Sequence, residues 1–281
     1  MFKIVSIAIH LLLLLNSTLA SADGKEYSFG VINQRSITLT AEYWNPILNY
    51  ISDKSGVALR LKMARNAPES SDMIGKSQFD FVYSNAIFDP INSHSGYQVF
   101  ARPAGKAIKG QIVVLEDSRL QDLKELSGKE VGFPSQTAFI GYMVTLEALK
   151  QRGINVTPVF AGNQEGIMAQ LKGRRVPAAG VNSQVMFEYA QREGINYRAL
   201  WNSEEYFNIP ISAHPKVSKT ALHAVRKAIL EMSQDPDGLK ILQNSAAVIK
   251  QQAPYGFVAA QDKEYANYRL FFKNHPPEGR Q

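Results

Sequence analysis

The sequence predicts an α/β fold with two mostly parallel β-sheets. Short apolar runs alternate along the chain with segments in which apolar residues recur at helical spacing, and this alternation is typical of parallel strands joined by helices. The chain has 281 residues, which corresponds to about two domains at roughly 150 residues each. Two stretches without periodicity, residues 103–110 and 202–210, are predicted to carry the chain from one sheet to the other and back.

The first 22 residues are predicted to be a cleaved secretory signal peptide. Lys3 is followed by an uncharged apolar run at 4–15, by a polar break at 16–18 and by small residues at 20–22, the pattern that a signal peptidase reads. A run that spans a membrane needs about 20 residues, and the run at 4–15 is shorter than that. A membrane anchor is therefore the less favoured alternative. We therefore expect an exported mature chain that begins near Asp23.

The mature chain begins with a strand and helix alternation that occurs three times. Trp44, Ile47, Leu48 and Ile51 mark one face of the first helix. The predicted elements of this part are strands at 27–32, 57–63 and 79–83 and helices at 41–55, 70–76 and 86–93.

The middle of the chain continues the alternation, and its first three helices end at or near a glycine, a residue that commonly ends a helix. The predicted elements are strands at 109–115, 130–133, 156–161, 177–181, 197–201 and 207–213 and helices at 138–152, 164–171, 184–192 and 219–233. If both aperiodic stretches are crossings, residues 23–107 and 208–281 form one discontinuous lobe, and residues 108–207 form the other.

Composition and motifs exclude several function classes. Hydrophobic residues make up 45% of the chain and cysteine is absent, so disulfides, thiol nucleophiles and cysteine metal sites are excluded. A net charge of +6 without a run of five or more lysines and arginines gives no case for nucleic-acid binding. Glycine-rich nucleotide loops, the serine-hydrolase elbow and the HExxH zinc motif are also absent. We expect no cofactor, no metal and no enzyme activity, with a phosphoester hydrolase as the less favoured alternative.

Small polar residues occupy three strand-to-helix turns, at 33–38, 84–85 and 134–137. The first amides of a helix lack intrahelical partners and attract negative charge, so such a turn can hold an anion with N–H and hydroxyl groups. Several of these turns facing one crevice would form an oxyanion site. Each turn alone also has a simpler interpretation as an ordinary helix N-cap.

Six segments resemble those of one protein family in their order and spacing. They are residues 29–31, 44–51, 79–86, 131–139, 160–165 and 255–265, of which 79–86 reads FDFVYSNA and 131–139 reads VGFPSQTAF. These segments are similar to those of the PhnD-like periplasmic binding proteins for phosphate, phosphite and phosphonate. The resemblance extends over nearly the whole mature chain.

This resemblance implies a two-lobed, type II periplasmic binding protein fold with a hinge between the lobes. A small phosphorus oxyanion would be clamped between the lobes of a periplasmic monomer and delivered to an ABC transporter permease. Two alternatives remain open. The protein could dock on a membrane histidine kinase as a sensor, or it could bind another small anion such as a sulfonate.

The resemblance also implies ligand-binding residues in both lobes. Those of the first lobe would line one side of the ligand, and those of the second would donate hydroxyl and amide hydrogens to the oxyanion. The residues are Tyr83, Ser84, Asn85, Ser135, Gln136 and Thr137.

Four further residues are candidates for the same site. Gln164 stands where many relatives have histidine, and Asn182 stands near a position where relatives that bind aminoalkyl phosphonates have a carboxylate. Asn182 therefore favours a ligand without an amine, although Glu165 could replace the missing charge. Arg35 is predicted to reach the anion or to be a solvated surface residue. Tyr206 is predicted to cover the ligand.

Overall fold

Two separate β-sheets organise residues 25–276, the part of the chain that the computed structural model describes. The strands are β1 (Tyr27–Val31), β2 (Leu59–Lys62), β3 (Phe81–Tyr83), β4 (Gln98–Pro103), β5 (Gly110–Leu115), β6 (Glu130–Phe133), β7 (Thr157–Phe160), β8 (Ala179–Asn182), β9 (Tyr197–Asn202), β10 (Ile211–Ala213) and β11 (Phe257–Ala259). The first sheet has the order β11-β4-β10-β3-β1-β2, and the second has the order β7-β6-β8-β5-β9. We call residues 25–103 and 211–276 the first half, and residues 110–202 the second half.

Most strands of each sheet point in the same direction. In the first sheet β1 is parallel to β2 and β3, while β10 is antiparallel to both β3 and β4. In the second sheet β6 is parallel to β7 and β8, while β5 is antiparallel to β8 and β9. The predicted α/β class with mostly parallel sheets is therefore confirmed.

Side-chain caps determine where several helices begin. Ser36, Asn66 and Asn163 each accept a hydrogen bond from the N–H three residues further on, which satisfies an amide that has no intrahelical partner. The helices are α1 (Ile37–Ser55), α2 (Ala67–Gly75), α3 (Val144–Lys150), α4 (Gln164–Lys172), α5 (Ser183–Glu193), α6 (Lys219–Glu231), α7 (Pro236–Ile249) and α8 (Ala266–Asn274). A turn of π-helix, Phe139–Met143, leads into α3.

One apolar cluster contains residues of both halves. Phe139, which begins the π-helical turn of the second half, stacks on Tyr268 of α8 with 4.6 Å between ring centroids. Phe271, Phe272 and Tyr206 also contact the Phe139 ring. Helix α8 therefore packs its aromatic face against the start of the helix that follows β6.

The two predicted crossings pair with each other. The Ile108 N–H donates to the Tyr206 carbonyl, and the Tyr206 N–H donates to the Ile108 carbonyl, each over 2.8 Å. These reciprocal bonds form an isolated antiparallel bridge. The chain thus enters and leaves the second half through two adjacent, mutually bonded segments.

The predicted helix at 86–93 is wrong. Two short 3₁₀ turns, Ala86–Phe88 and Ser93–Ser95, occupy that stretch. Asp89 has extended backbone angles between them, because the proline that follows it disfavours the helical conformation of the preceding residue. The predicted signal peptide, residues 1–22, lies outside the described residues.

Candidate functional site

A small cavity lies where turns from both sheets meet. Its volume is about 30 Å³, about two to three times the space that one buried water needs. The first half contributes the turns that follow β1 and β3 together with α2, and the second half contributes the turn after β6 and the starts of α4 and α5. The lining residues are Ile32, Asn33, Gln34, Ala67, Ser70, Ser71, Ser84, Asn85, Ala86, Pro134, Ser135, Thr137, Ala138, Phe139, Ile140, Gln164, Asn182 and Ile209.

None of these lining residues is a histidine, a tyrosine or a charged residue. The polar groups that face the cavity are therefore hydroxyls, carboxamides and backbone amides, which keep one protonation state across the physiological pH range. A site of this composition can bind an anion by directed hydrogen bonds without a formal counter-charge.

The turn after β3 presents a fully buried serine to the cavity. The Ser84 N–H donates to the Pro210 carbonyl over 3.2 Å, and the Ser84 Oγ accepts from the Ala86 N–H over 3.1 Å. The hydroxyl proton remains available to a ligand, because this second bond uses only the oxygen as acceptor. The neighbouring Asn85 is buried and also lines the cavity.

The turn after β6 brings two hydroxyls to the opposite side of the cavity. The Ser135 Oγ and Thr137 Oγ1 lie 3.3 Å apart, and the Ala138 N–H closes the turn by donating to the Ser135 carbonyl. The helical segment that continues into α3 begins at Phe139, so its first amides point toward this end of the cavity. Hydroxyls and a helix N-terminus therefore converge on one side.

Gln164 and Asn182 line the cavity from the second half. The Asn182 N–H donates to the Gln164 Oε1 over 3.2 Å, and Asn182 Oδ1 caps α5 by accepting from the Gln184 N–H. The Gln164 Nε2 amino group lies beside Gly141, where an added Cβ would be only 2.4 Å away. The absence of a side chain at Gly141 therefore leaves room for the carboxamide of Gln164.

Asn33 is a lining residue that sequence reasoning did not single out, although it begins the polar turn after β1. Its Nδ2 donates to the Ala64 carbonyl over 2.9 Å, and its Oδ1 is buried without a hydrogen-bond partner. Ser70 and Ser71 of α2 were also missed. Nothing in the sequence signals them, because only the packing of α2 beside the turn after β3 brings them to the cavity.

Arg35, Tyr83, Gln136 and Tyr206 do not line the cavity. Arg35 instead forms a buried ion pair with Glu188 of α5. Burial lowers the pKa of Arg35, but the Glu188 carboxylate together with Tyr83 and Tyr43 outweighs this effect, so the pKa is raised. Tyr206 is buried among the aromatic rings under α8. The ligand-binding roles of these four residues stay predictions.

The Arg35–Glu188 pair belongs to a set of contacts that joins the two halves beside the cavity. The Ser36 N–H donates to Glu165 Oε2 over 3.1 Å, and the Glu165 N–H donates to the Gln34 carbonyl over 3.2 Å. We call these contacts, together with the Arg35–Glu188 pair, the clasp. The clasp holds the turn after β1 against the starts of α4 and α5.

The Glu188 carboxylate is also linked to the return crossing through two carboxamides. Gln184 donates from Nε2 to Glu188 Oε1 over 2.8 Å, and its own Oε1 accepts from Asn208 Nδ2 over 2.6 Å.

Within residues 25–276 no group of three or more histidine, aspartate or glutamate side chains could hold a metal ion. In the same range, no helix is long and apolar enough to cross a membrane.

The chain is similar to periplasmic binding proteins in sequence pattern and in fold. A family model described as "ABC transporter, phosphonate, periplasmic substrate-binding protein" matches residues 29–265. A search of curated proteins finds no match.

Solved structures of such proteins share the fold. PhnD1 from Prochlorococcus marinus in complex with methylphosphonate is 18% identical, with a TM-score of 0.74 over 89% of this chain and 98% of that one. A binding protein component of an ABC phosphonate transporter from Pseudomonas aeruginosa is 16% identical, with a TM-score of 0.75 over 88% of this chain and 85% of that one. The aliphatic sulphonate binding protein SsuA from Escherichia coli is 12% identical, with a TM-score of 0.56 over 89% of this chain and 87% of that one.

Proposed function

This chain belongs to the periplasmic substrate-binding proteins of phosphonate ABC transporters, and from that premise we propose that it captures a small phosphorus oxyanion in the cavity between its two halves. Phosphate, phosphite and a simple phosphonate are the proposed ligands. The observation that carries the proposal is the cavity itself, which is small, shared by both halves and lined by neutral hydrogen-bond donors.

The proposed contacts follow from the donors on each wall. The hydroxyls of Ser135 and Thr137 and the amides at the start of the following helix would hold the oxyanion from the second half, and the Ser84 hydroxyl would hold it from the first. The Gln164 amino group would add a neutral donor. Hydrogen bonds to an ionised oxygen are about twice as strong as neutral ones, and a water-excluding site strengthens them further.

The size and charge of the cavity favour a compact anion. A volume of about 30 Å³ suits an ion of a few non-hydrogen atoms. No carboxylate lines the cavity, and Glu165 is engaged by the Ser36 N–H and by Arg192. Both facts support a ligand without an ammonium group, as the asparagine at position 182 predicts.

We propose that closure of two lobes captures the ligand. The lobes would be residues 23–107 with 208–281, and residues 108–207, with the bonded pair of Ile108 and Tyr206 acting as the hinge. Hinge closure around a ligand is the usual motion of periplasmic binding proteins. The clasp contacts would then form only in the closed state, where they stabilise the ligand-bound arrangement.

The proposed role is transport without catalysis. Residues 1–22 would direct export to the periplasm and be removed, and the mature monomer would deliver its ligand to an ABC transporter permease. The cavity contains no nucleophile paired with a base, which supports a binding function over a hydrolase. A membrane histidine kinase is the alternative partner. Co-purification with membrane proteins from the native host would distinguish a kinase from a permease.

The test is a thermal-shift titration of the chain from Asp23 onward after unfolding and refolding to remove carried-over ligand. Phosphate, phosphite, methylphosphonate, 2-aminoethylphosphonate, sulfate and taurine are compared. A ligand present at about 1,000 times its dissociation constant stabilises by about 4 kcal/mol, a shift of several degrees. Ser135→Ala and Thr137→Ala should reduce the shift, whereas Thr220→Ala on the exposed face of α6 should not. No shift with any phosphorus oxyanion would contradict the proposal.

A further inference from the structure

One wall of the cavity carries a buried acceptor that the protein itself leaves without a donor. Asn33 is 7% exposed and lines the cavity. Among the lining side chains, within the described part of the molecule, its Oδ1 is the one buried polar atom without a hydrogen-bond partner. Buried polar groups are nearly always paired, so a bound ligand is the expected hydrogen-bond donor to this oxygen.

The orientation of the Asn33 carboxamide is fixed by its other end. Nδ2 donates to the Ala64 carbonyl over 2.9 Å. Turning the amide over would set two acceptor oxygens against each other at this position, so the free atom is the carbonyl oxygen. Asn33 therefore presents an acceptor in a cavity whose other polar side chains are suited to donate.

An acceptor in an oxyanion site distinguishes anions that carry a proton from those that do not. A phosphorus oxyanion takes up a proton as the pH falls below neutral, because the second pKa of a phosphate group is about 6. Sulfate and sulfonates have no proton to donate at this pH and would bring an oxygen lone pair against Oδ1. The same geometry thus favours binding of a protonated phosphorus oxyanion and disfavours binding of sulfate and sulfonates.

We propose that Asn33 Oδ1 accepts a hydrogen bond from the P–OH group of a protonated phosphorus oxyanion and thereby selects it over sulfate and sulfonates. This inference rests on the proposed function, because it assigns a specificity-determining residue within the same cavity. The ligand is the donor in this one contact and the acceptor in the others.

The ligand's own proton is the titrating group at the site, since no lining side chain ionises. The charged groups on the surrounding elements are held in pairs or by amides, and Glu69 at the start of α2 has its pKa lowered by the Arg65 side chain. These charged groups include Arg35, Arg65, Glu69, Asp89, Glu165, Glu188 and Arg192.

Calorimetric titrations with methylphosphonate and methanesulfonate between pH 5.5 and 8.5 test this inference. The two ligands share a methyl group and three oxygens, but only the phosphonate carries a proton. We expect the wild-type protein at low pH to bind methylphosphonate about 10- to 100-fold more tightly, the factor expected for one hydrogen bond to a charged group. This preference should fall as the pH rises, and methanesulfonate binding should not change with pH.

Asn33→Leu replaces the carboxamide with an apolar group of similar shape. If loss of the Ala64 bond merely loosens the site, both ligands weaken equally and the ratio of their affinities is kept, which would overturn the inference. If Oδ1 selects the proton, methylphosphonate alone weakens and the ratio approaches one. Should the variant fail to fold, the wild-type pH profile decides, because a flat preference refutes selection by protonation. Failure of every phosphorus oxyanion to bind the wild type would instead overturn the proposed function.

Discussion

Removing the positive charge of Arg35 is expected to weaken ligand binding through its effect on closure. The Glu188 side chain is 2% exposed and that of Arg35 is 14% exposed. Arg35→Met would leave the carboxylate buried with its hydrogen bond from Gln184 at 2.8 Å. Breaking a buried ion pair by removing one partner costs about 3 to 5 kcal/mol, and the remaining Gln184 bond sets the expected cost near 3 kcal/mol.

This cost would fall on the closed arrangement, because opening of the proposed hinge would separate the turn after β1 from α5 and return Glu188 to water. At about 1.4 kcal/mol per tenfold change, 3 kcal/mol corresponds to an affinity about 100-fold weaker. The affinity is measured by isothermal calorimetry with methylphosphonate. The melting temperature of the ligand-free protein, in which the clasp would be open, should change little.

A double variant separates the clasp from direct ligand contact. Arg35→Met combined with Glu188→Met buries no unpaired charge and should recover most of the lost affinity. If the double variant binds as weakly as Arg35→Met, Arg35 contacts the ligand itself, which is one of the two roles that the sequence leaves open for it. If Arg35→Met binds within about threefold of the wild type, the reasoning from the buried pair is refuted.

Three further changes test other parts of the structure. Gly141→Ala would place a methyl group 2.4 Å from Gln164 Nε2, so methylphosphonate affinity measured by calorimetry should fall at least about tenfold. Phe139→Ala removes a buried ring stacked at 4.6 Å on α8 and should lower the free energy of unfolding in urea by about 3 to 5 kcal/mol. The hydrogen bond from Lys54 lowers the pKa of Asp235 from 3.8 to about 2. The ionised Asp235 carboxylate therefore stabilises the folded state above pH 3.8, and this contribution is lost as the pH falls through about 2. Asp235→Asn should therefore lower the melting temperature at pH 7, by a margin that shrinks in acid.

Matched controls accompany these changes. Gly173→Ala adds a methyl group whose nearest neighbour is 3.3 Å away, so it should leave methylphosphonate affinity unchanged. Leu270→Ala, on the exposed face of α8 where the side chain is 55% exposed, should change the free energy of unfolding by less than about 0.5 kcal/mol. A melting difference for Asp235→Asn that stays constant from pH 7 to about pH 2 would contradict the assigned role of its carboxylate.

The alternation of strands and helices was predictable because short apolar runs and capped helices are local signals. Strand β6 has the bounds that the sequence predicts, and α4 begins at Gln164 as expected. Helix α7 was missed, although Asp235 followed by proline is a typical helix start. The buried face of α7 includes the small residues Gly238, Ser245 and Ala246, and small residues give little periodic signal.

The candidate site was partly predictable for a related reason. Ser84, Ser135 and Thr137 stand at the ends of strands, where the sequence itself marks a polar turn, and all three line the cavity. The position of Arg35 was not predictable, because its partner Glu188 is distant in sequence and looks like an ordinary polar residue of an amphipathic helix. Burial of that pair depends on how the two halves meet, which no local pattern encodes.

The reciprocal bonds between Ile108 and Tyr206 constrain how the two halves can move. Because these bonds join the two crossings, the proposed hinge motion would bend both crossings together. Such coupled bending would bring the clasp partners together in the same register at each closure. A membrane partner that contacts one site on each half would then bind the closed, ligand-filled arrangement differently from the open one.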